Sequence, residues 1–414
     1  MKNLMIRSGS VICCALFGVA SFSQSDSRAL SLLMRVLENE NKATYSAVKR
    51  VSHWESQSAM QIRQDKGGEN SNFIIVLSPL SKAGEMSFDD GKEWRRYVPD
   101  QKTVFIQTLS GRRNDPNVLR LQENLLKENY RVNFAGRETI AGRQAVVLRL
   151  TPNEKEALFS RRFWVDSEKN IMLRVEINDP AGRSQIVSDT IKIDFDNVND
   201  GASQFKPVGK PKEIRLPVPN IARNISEVER SLGFTILIPV QMPYGFMLRE
   251  ISSVPSEWRK MAVLRFTDGV SSATIYQGNA SAEKKAWKMN PRKGDFVLDG
   301  VMITVDGDIP DVARRKIIEV MKASGVEREK SLRQRASEIT GIRLSHVNSL
   351  RDVGLGFNEV ITILTACRGN NNEAERCYKL LQEGRNYFDV LRTLKTNDNE
   401  IKRAQERFWN EKVE

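Results

Sequence analysis

Histidine, cysteine and clustered carboxylates are the side chains that could carry covalent or metal chemistry, and this chain spaces them poorly for it. It holds two histidines, His53 beside Trp54 and His346 in an expected helix. No Gly-x-Ser-x-Gly elbow, His-Glu-x-x-His, Cys-x-x-Cys or phosphate-binding Gly-Lys-Ser loop occurs in the sequence. Asp306-Gly-Asp308 with Asp311 gathers carboxylates, but calcium needs more oxygen ligands from a defined loop, so a turn and a helix cap are expected there. Asp89-Asp90 precedes Gly91 and reads as a turn. No enzyme, metal site or cofactor is expected. What remains is apolar chemistry. Trp94, Tyr97, Phe105, Val147 and Trp164 are the candidates for lining a ligand cavity, because rigid rings bury large areas without demanding a fixed partner shape. The same residues would serve as ordinary sheet core.

The elements that must position them are strands. In Val146, Leu148 and Leu150, in Ile171, Leu173, Val175 and Ile177, and in Ile191, Ile193 and Phe195, apolar residues recur at every second position, with Arg174, Glu176, Lys192 and Asp194 between. A period of two predicts strands with one apolar and one wet face. Short turns at 166–170 and 179–183 predict antiparallel hairpins. Upstream, Asp89-Asp90-Gly91-Lys92 joins Met86–Phe88 to Glu93–Tyr97, and Pro99-Asp100 turns the chain into Thr103–Ile106. A helix bearing Ala29, Leu30, Leu33, Val36 and Leu37 follows an N-cap at 25–27, and 119–129 predicts a helix inserted in the sheet. A curved meander of this kind needs its apolar face covered by a helix or by a greasy ligand.

The ends constrain where the chain works. Lys2 and Arg7 precede an apolar run, Val11 to Phe22, too short to span a bilayer, and small residues stand at cleavage spacing near Ser23. Residues 1–23 are therefore expected to be an export signal, leaving a protein that is periplasmic or otherwise exported. The net charge of +12 suits anionic headgroups or acidic protein partners better than nucleic acid, since no aromatic-rich nucleic-acid motif accompanies it. Cys13 and Cys14 fall within the signal. Cys367 and Cys377 remain, either as a possible disulfide or as two buried thiols.

Residues 24–200 are thus expected to form one domain, followed by a Pro/Lys-rich linker or strap over 201–229. A second, smaller α+β domain is expected over 230–328, with strands at Phe234–Pro239, Pro243–Arg249, Met261–Phe266, Ala273–Tyr276 and Val301–Val305, and a helix opening after Asp308-Ile-Pro310. Residues 329–414 are expected to be all helical. There, 350–364 aligns without gaps to 380–394: Leu350 with Leu380, Gly354 with Gly384, Phe357 with Tyr387, Val360 with Val390. Two copies of a 30-residue unit are too few for a solenoid, so a small helical array is expected.

Ala141-Gly-Arg-Gln-Ala145, Phe163-Trp-Val-Asp166, Asn178-Asp-Pro-Ala-Gly182 and, further on, Leu264–Tyr276 and Ile303–Pro310 resemble the RseB/MucB regulators of sigma-factor signalling. The Asp90–Pro99 hairpin is similar to that of the lipoprotein carrier LolA. The resemblance covers about residues 25–325 and implies an α+β fold: a curved antiparallel half-barrel sheet covered by helices, a smaller second domain, then the helical segment. It also implies binding of a lipid or acylated lipoprotein and of a membrane anti-sigma factor. A periplasmic lipid carrier and an envelope scaffold acting through its helical tail stand as the alternatives.

Overall fold

The computed structural model describes residues 26–410 apart from 41, 55, 57, 69–70, 110–115, 255–259 and 282–294. The expected export signal lies outside the described residues. Two sheets and a helical segment make up the molecule. The large sheet comprises β1 (Thr44–Val51), β2 (Met60–Gly67), β3 (Asn72–Ser78), β4 (Met86–Asp89), β5 (Glu93–Val98), β6 (Thr103–Thr108), β7 (Tyr130–Ile140), β8 (Arg143–Pro152), β9 (Ser160–Asp166), β10 (Met172–Asn178), β11 (Ser184–Asp194) and β12 (Lys212–Arg215). Its order is β12-β6-β5-β4-β3-β2-β1-β11-β10-β9-β8-β7, so it is an open sheet. Every pairing is antiparallel except β12 with β6.

Turn chemistry sets the hairpins. Asp90 Oδ1 accepts the backbone N–H groups of Lys92 and Glu93 at 2.9 and 2.7 Å, closing β4 onto β5. Asp166 accepts from Glu168 and Lys169 and is gripped by Arg143 at 2.7 and 3.1 Å. Burial pushes the Asp166 carboxyl up, but Arg143 and those amides outweigh it and hold it below the usual range.

Alternation sends Phe163 and Trp164 to opposite faces. On one, Leu148, Phe163 and Val165 pack under α1 (Ser27–Asn39) and α2 (Pro116–Asn129). On the other, Val147 and Trp164 pack with Tyr45, Ile171 and Leu173. The expected wet face is therefore apolar along β8 and β9, which are buried on both sides. A third cluster, Phe73, Met86, Phe88, Tyr97, Val104 and Ile106, fills the β3–β6 arm beneath Phe205, which follows the short α3 (Gly201–Gln204).

The stretch expected to be a linker is built in. Lys212–Arg215 forms β12 on the edge of the large sheet. The smaller sheet then has β13 (Asn220–Ala222), β14 (Met247–Val254), β15 (Met261–Thr267), β16 (Ser272–Asn279), β17 (Phe296–Leu298) and β18 (Val301–Gly307), all antiparallel in the order β13-β14-β15-β16-β18-β17. Helices α4 (Ile225–Leu232) and α5 (Asp311–Lys322) pack on it. The expected strand at Phe234–Pro239 is absent. Ile236, Leu237 and Ile238 are buried, but the amide of Gln277 stands in for a neighbouring strand, exchanging hydrogen bonds of 2.9 and 2.6 Å with the Leu237 backbone. Asp308 does not cap α5; it reaches Arg161 instead, at 2.9 Å.

Among the described residues six helices follow: α6 (Val326–Thr340), α7 (Leu344–Asp352), α8 (Phe357–Ala366), α9 (Asn371–Gln382), α10 (Tyr387–Leu391) and α11 (Asp398–Asn410). Both repeat copies are a helix, a left-handed glycine and a helix, with Gly354 at φ 85° and Gly384 at φ 90°. Val360 and Val390 are fully buried at matching places. Among the described residues no helix is long and apolar enough to cross a membrane.

Candidate functional site

A cavity of about 760 Å³ opens where α2, the smaller sheet and the two repeat turns meet. Each wall has a local cause. Val118 and Leu121 lie a helical turn apart on α2. Phe246, Met247 and Leu248 enter from the start of β14, and Val353–Leu355 and Gly384–Tyr387 are the two glycine breaks of the repeat. Gly354 sits there because its backbone is left-handed, at φ 85°, and a Cβ would also crowd the Leu248 Cδ2 at 2.1 Å.

Three bodies are fastened together around it. Tyr130 donates to Asp268 Oδ2 at 2.7 Å, Asn129 to the carbonyls of Asp268 and Gly245, and Gln122 to that of Gly269 at 3.0 Å. Arg161, itself buried, reaches Ser271 and Asp308 of the second unit. Burial pushes the Asp268 carboxyl above its usual range despite these donors, and pushes the Tyr130 hydroxyl up as well. The helical segment grips α2 from the other side: Arg392 donates to Asn124 at 2.6 Å and Arg120 pairs with Asp389 at 3.4 Å.

The cavity has a mixed lining, with Leu121, Phe246 and Leu248 beside Gln241, Glu359 and Asn386, and it is charged at its rim. Arg223, Arg249 and Arg385 are exposed there, with no ion pair among the described residues. Lys379 is also on the rim but is held by Glu375 at 2.8 Å. Deeper in, Gln241 donates to Glu359 Oε1 at 3.0 Å and accepts from the Asn358 N–H at 2.8 Å. Burial pushes the Glu359 carboxyl up, and burial with the neighbouring Glu359 pushes the Tyr387 hydroxyl up. The volume is within the range of small-molecule sites. Guanidinium groups around a well of mixed lining suit a ligand with an anionic head, and Leu121, Phe246 and Leu248 offer apolar surface to its body. Nothing here pairs a nucleophile with a base.

The residues singled out in the sequence do not meet in this cavity; none of the five lines it. Val147 and Trp164 belong to one buried cluster and Tyr97 to another, while Trp94 and Phe105 are half-buried on the opposite face of the β5–β6 pair from Tyr97. Trp164 is held between Arg162 and Arg174, at 5.2 and 5.5 Å from its ring. Cys367 and Cys377 are buried free thiols; the hydrogen bond to Cys377 and burial push the Cys367 thiol up. His53 is exposed and His346 half-buried. Sequence reasoning missed Arg223, Arg249 and Arg385. The one signal available was the repeat, whose aligned glycines both face the cavity.

Residues 28–201 match the family described as MucB/RseB N-terminal domain. Among solved structures, MucB is similar at 15% identity and a TM-score of 0.47, covering 72% of this chain and 98% of that one. The MucA/MucB complex of Pseudomonas aeruginosa gives 14%, 0.48, 70% and 97%. A LolA-superfamily protein from Nitrosomonas europaea gives 15%, 0.19, 38% and 74%. No curated protein matches the chain.

Proposed function

We propose that this chain, whose residues 28–201 match the MucB/RseB N-terminal domain family, is an exported regulator without catalytic activity. It binds the exported segment of a membrane anti-sigma factor and responds to a lipid or acylated ligand. The observation that carries this reading is the family match over 28–201. MucB itself has been solved with MucA, which supplies the precedent for the partner. The cavity with its arginine rim is the ligand site in this reading. Burying an acyl chain is favourable by about 0.8 kcal/mol per CH2, so roughly a dozen methylenes give useful affinity.

The test has two arms. Pull-down with the exported segment of an anti-sigma factor should retain that segment; failure to retain it removes the regulator. Native mass spectrometry after gentle purification should show a co-purified acyl ligand, lost in the Arg249→Glu/Arg385→Glu variant. The cavity also favours a second reading, a carrier of acyl cargo: ligand retention without anti-sigma binding would select it. Neither ligand nor partner would leave an envelope scaffold acting through the helical segment.

A further inference from the structure

One end of the large sheet carries a surface that neither the cavity nor the partner reading uses. There β3 and β5 end while β4, β6 and β12 begin, so three loops, 79–85, 99–102 and 206–211, are brought side by side. Their adjacency is fixed by contacts. The Lys212 N–H donates to the Lys102 carbonyl at 2.8 Å, the Tyr97 hydroxyl donates to the Val208 carbonyl at 3.5 Å, and a Cβ on Gly84 would touch the Pro99 ring at 3.7 Å. Two aliphatic side chains stand out from these loops, Leu80 at 94% and Val208 at 78% exposure, the two most exposed large hydrophobic residues among those described. Around them Lys82, Lys102, Lys206, Lys210 and Lys212 are all exposed, and none takes part in an ion pair among the described residues. The nearby carboxylates are Asp100, Glu213 and Glu85, and Glu85 is already bonded to Arg96 at 2.7 Å.

Water-facing aliphatics ringed by unpaired lysines have no folding purpose, since burying neither Leu80 nor Val208 contributes to any core cluster. They match an anionic membrane surface: ammonium groups at the headgroup level, with short apolar side chains inserted beneath. An acidic protein would satisfy the lysines but would need an apolar pocket matched in position to both aliphatics, whereas a lipid surface accepts them wherever they project. We infer that this end of the sheet is a membrane-surface contact for anionic lipid headgroups, with Leu80 and Val208 as its inserting residues.

Co-sedimentation of the protein with phosphatidylcholine vesicles, with and without phosphatidylglycerol, tests it. Binding is expected only when phosphatidylglycerol is present, weakening as salt is raised. Lys210→Glu/Lys212→Glu should lower partitioning on the order of tenfold or more, and Leu80→Ser/Val208→Ser should lower it several-fold while leaving the circular dichroism spectrum unchanged. Equal sedimentation with both vesicle types would overturn the proposal. So would lysine-dependent binding that ignores the Leu80/Val208 change and is matched by soluble polyglutamate, which would assign the patch to an acidic protein. The Arg249→Glu/Arg385→Glu variant keeps vesicle binding if the surface and the cavity are separate, so failure of the ligand reading leaves this one intact.

Discussion

Arg351 is charged and fully buried, and all three of its guanidinium nitrogens are hydrogen-bonded. Glu329 accepts from two of its nitrogens, both at 2.7 Å, the Pro239 carbonyl accepts at 3.1 Å, the Leu355 carbonyl accepts from a third nitrogen, and the Phe357 ring lies 4.4 Å from the charge. Breaking such a pair from one side strands a buried charge. Arg351→Met should therefore destabilise the protein by about 3–5 kcal/mol in denaturant unfolding, whereas Arg351→Met/Glu329→Leu should recover most of that loss. Burial pushes the Glu329 carboxyl up, but Arg351 and Arg333 outweigh it and hold it below its usual range. A depressed carboxyl contributes stability above the ordinary carboxylate range, and that contribution is lost as pH falls through the lower folded-state value. The stability gap between the native sequence and Glu329→Gln, measured by thermal unfolding, should accordingly be full near neutrality and shrink in acid. Tyr130→Phe poses a smaller test. It takes a donor from buried Asp268, and should cost about 1–3 kcal/mol.

Between elements, glycine sets the closest approaches. Gly269 has φ 106°, and a Cβ there would come within 2.9 Å of the Leu126 backbone nitrogen on α2. Gly269→Ala should loosen the docking of the second sheet on α2, seen as faster proteolysis between the two units, with little change in the strands themselves. This docking explains what could and could not be read from the chain. Antiparallel strands were legible because alternation is local: Leu148 and Leu150, or Ile171 and Leu173, announce a strand wherever they pack. Phe234–Pro239 misled because apolar β-branched residues fit a buried extended segment as well as a strand, and only Gln277, about 40 residues away, settles which. Asp308 was expected to cap its own helix; its partner Arg161 comes from the large sheet, 147 residues away, and leaves no trace nearby in sequence. Likewise Val147 and Trp164 read as cavity or core with equal ease, because a ring buried by ligand and a ring buried by Tyr45 have the same sequence pattern.

At the level of the whole molecule, the cavity belongs to no single stretch of chain. Leu121, Leu248 and Tyr387 come from three separate parts of the chain, so no local pattern could have marked it. A form ending at residue 325 should lose co-purified ligand in native mass spectrometry yet keep the circular dichroism signature of its sheets. The loss also exposes Val240, Met247 and Val320, which the helical segment covers, so that form should self-associate at concentrations where the full chain does not. Helix α2 is held at once by Gly269, by Asp268 through the helix's last residue Asn129, and by Arg392. Its position is therefore a shared thermodynamic variable. Any occupant that favours one seating of this helix must alter how strongly the C-terminal helices clasp it, and by reciprocity a protein that seizes those helices must change the occupant's affinity by the same factor.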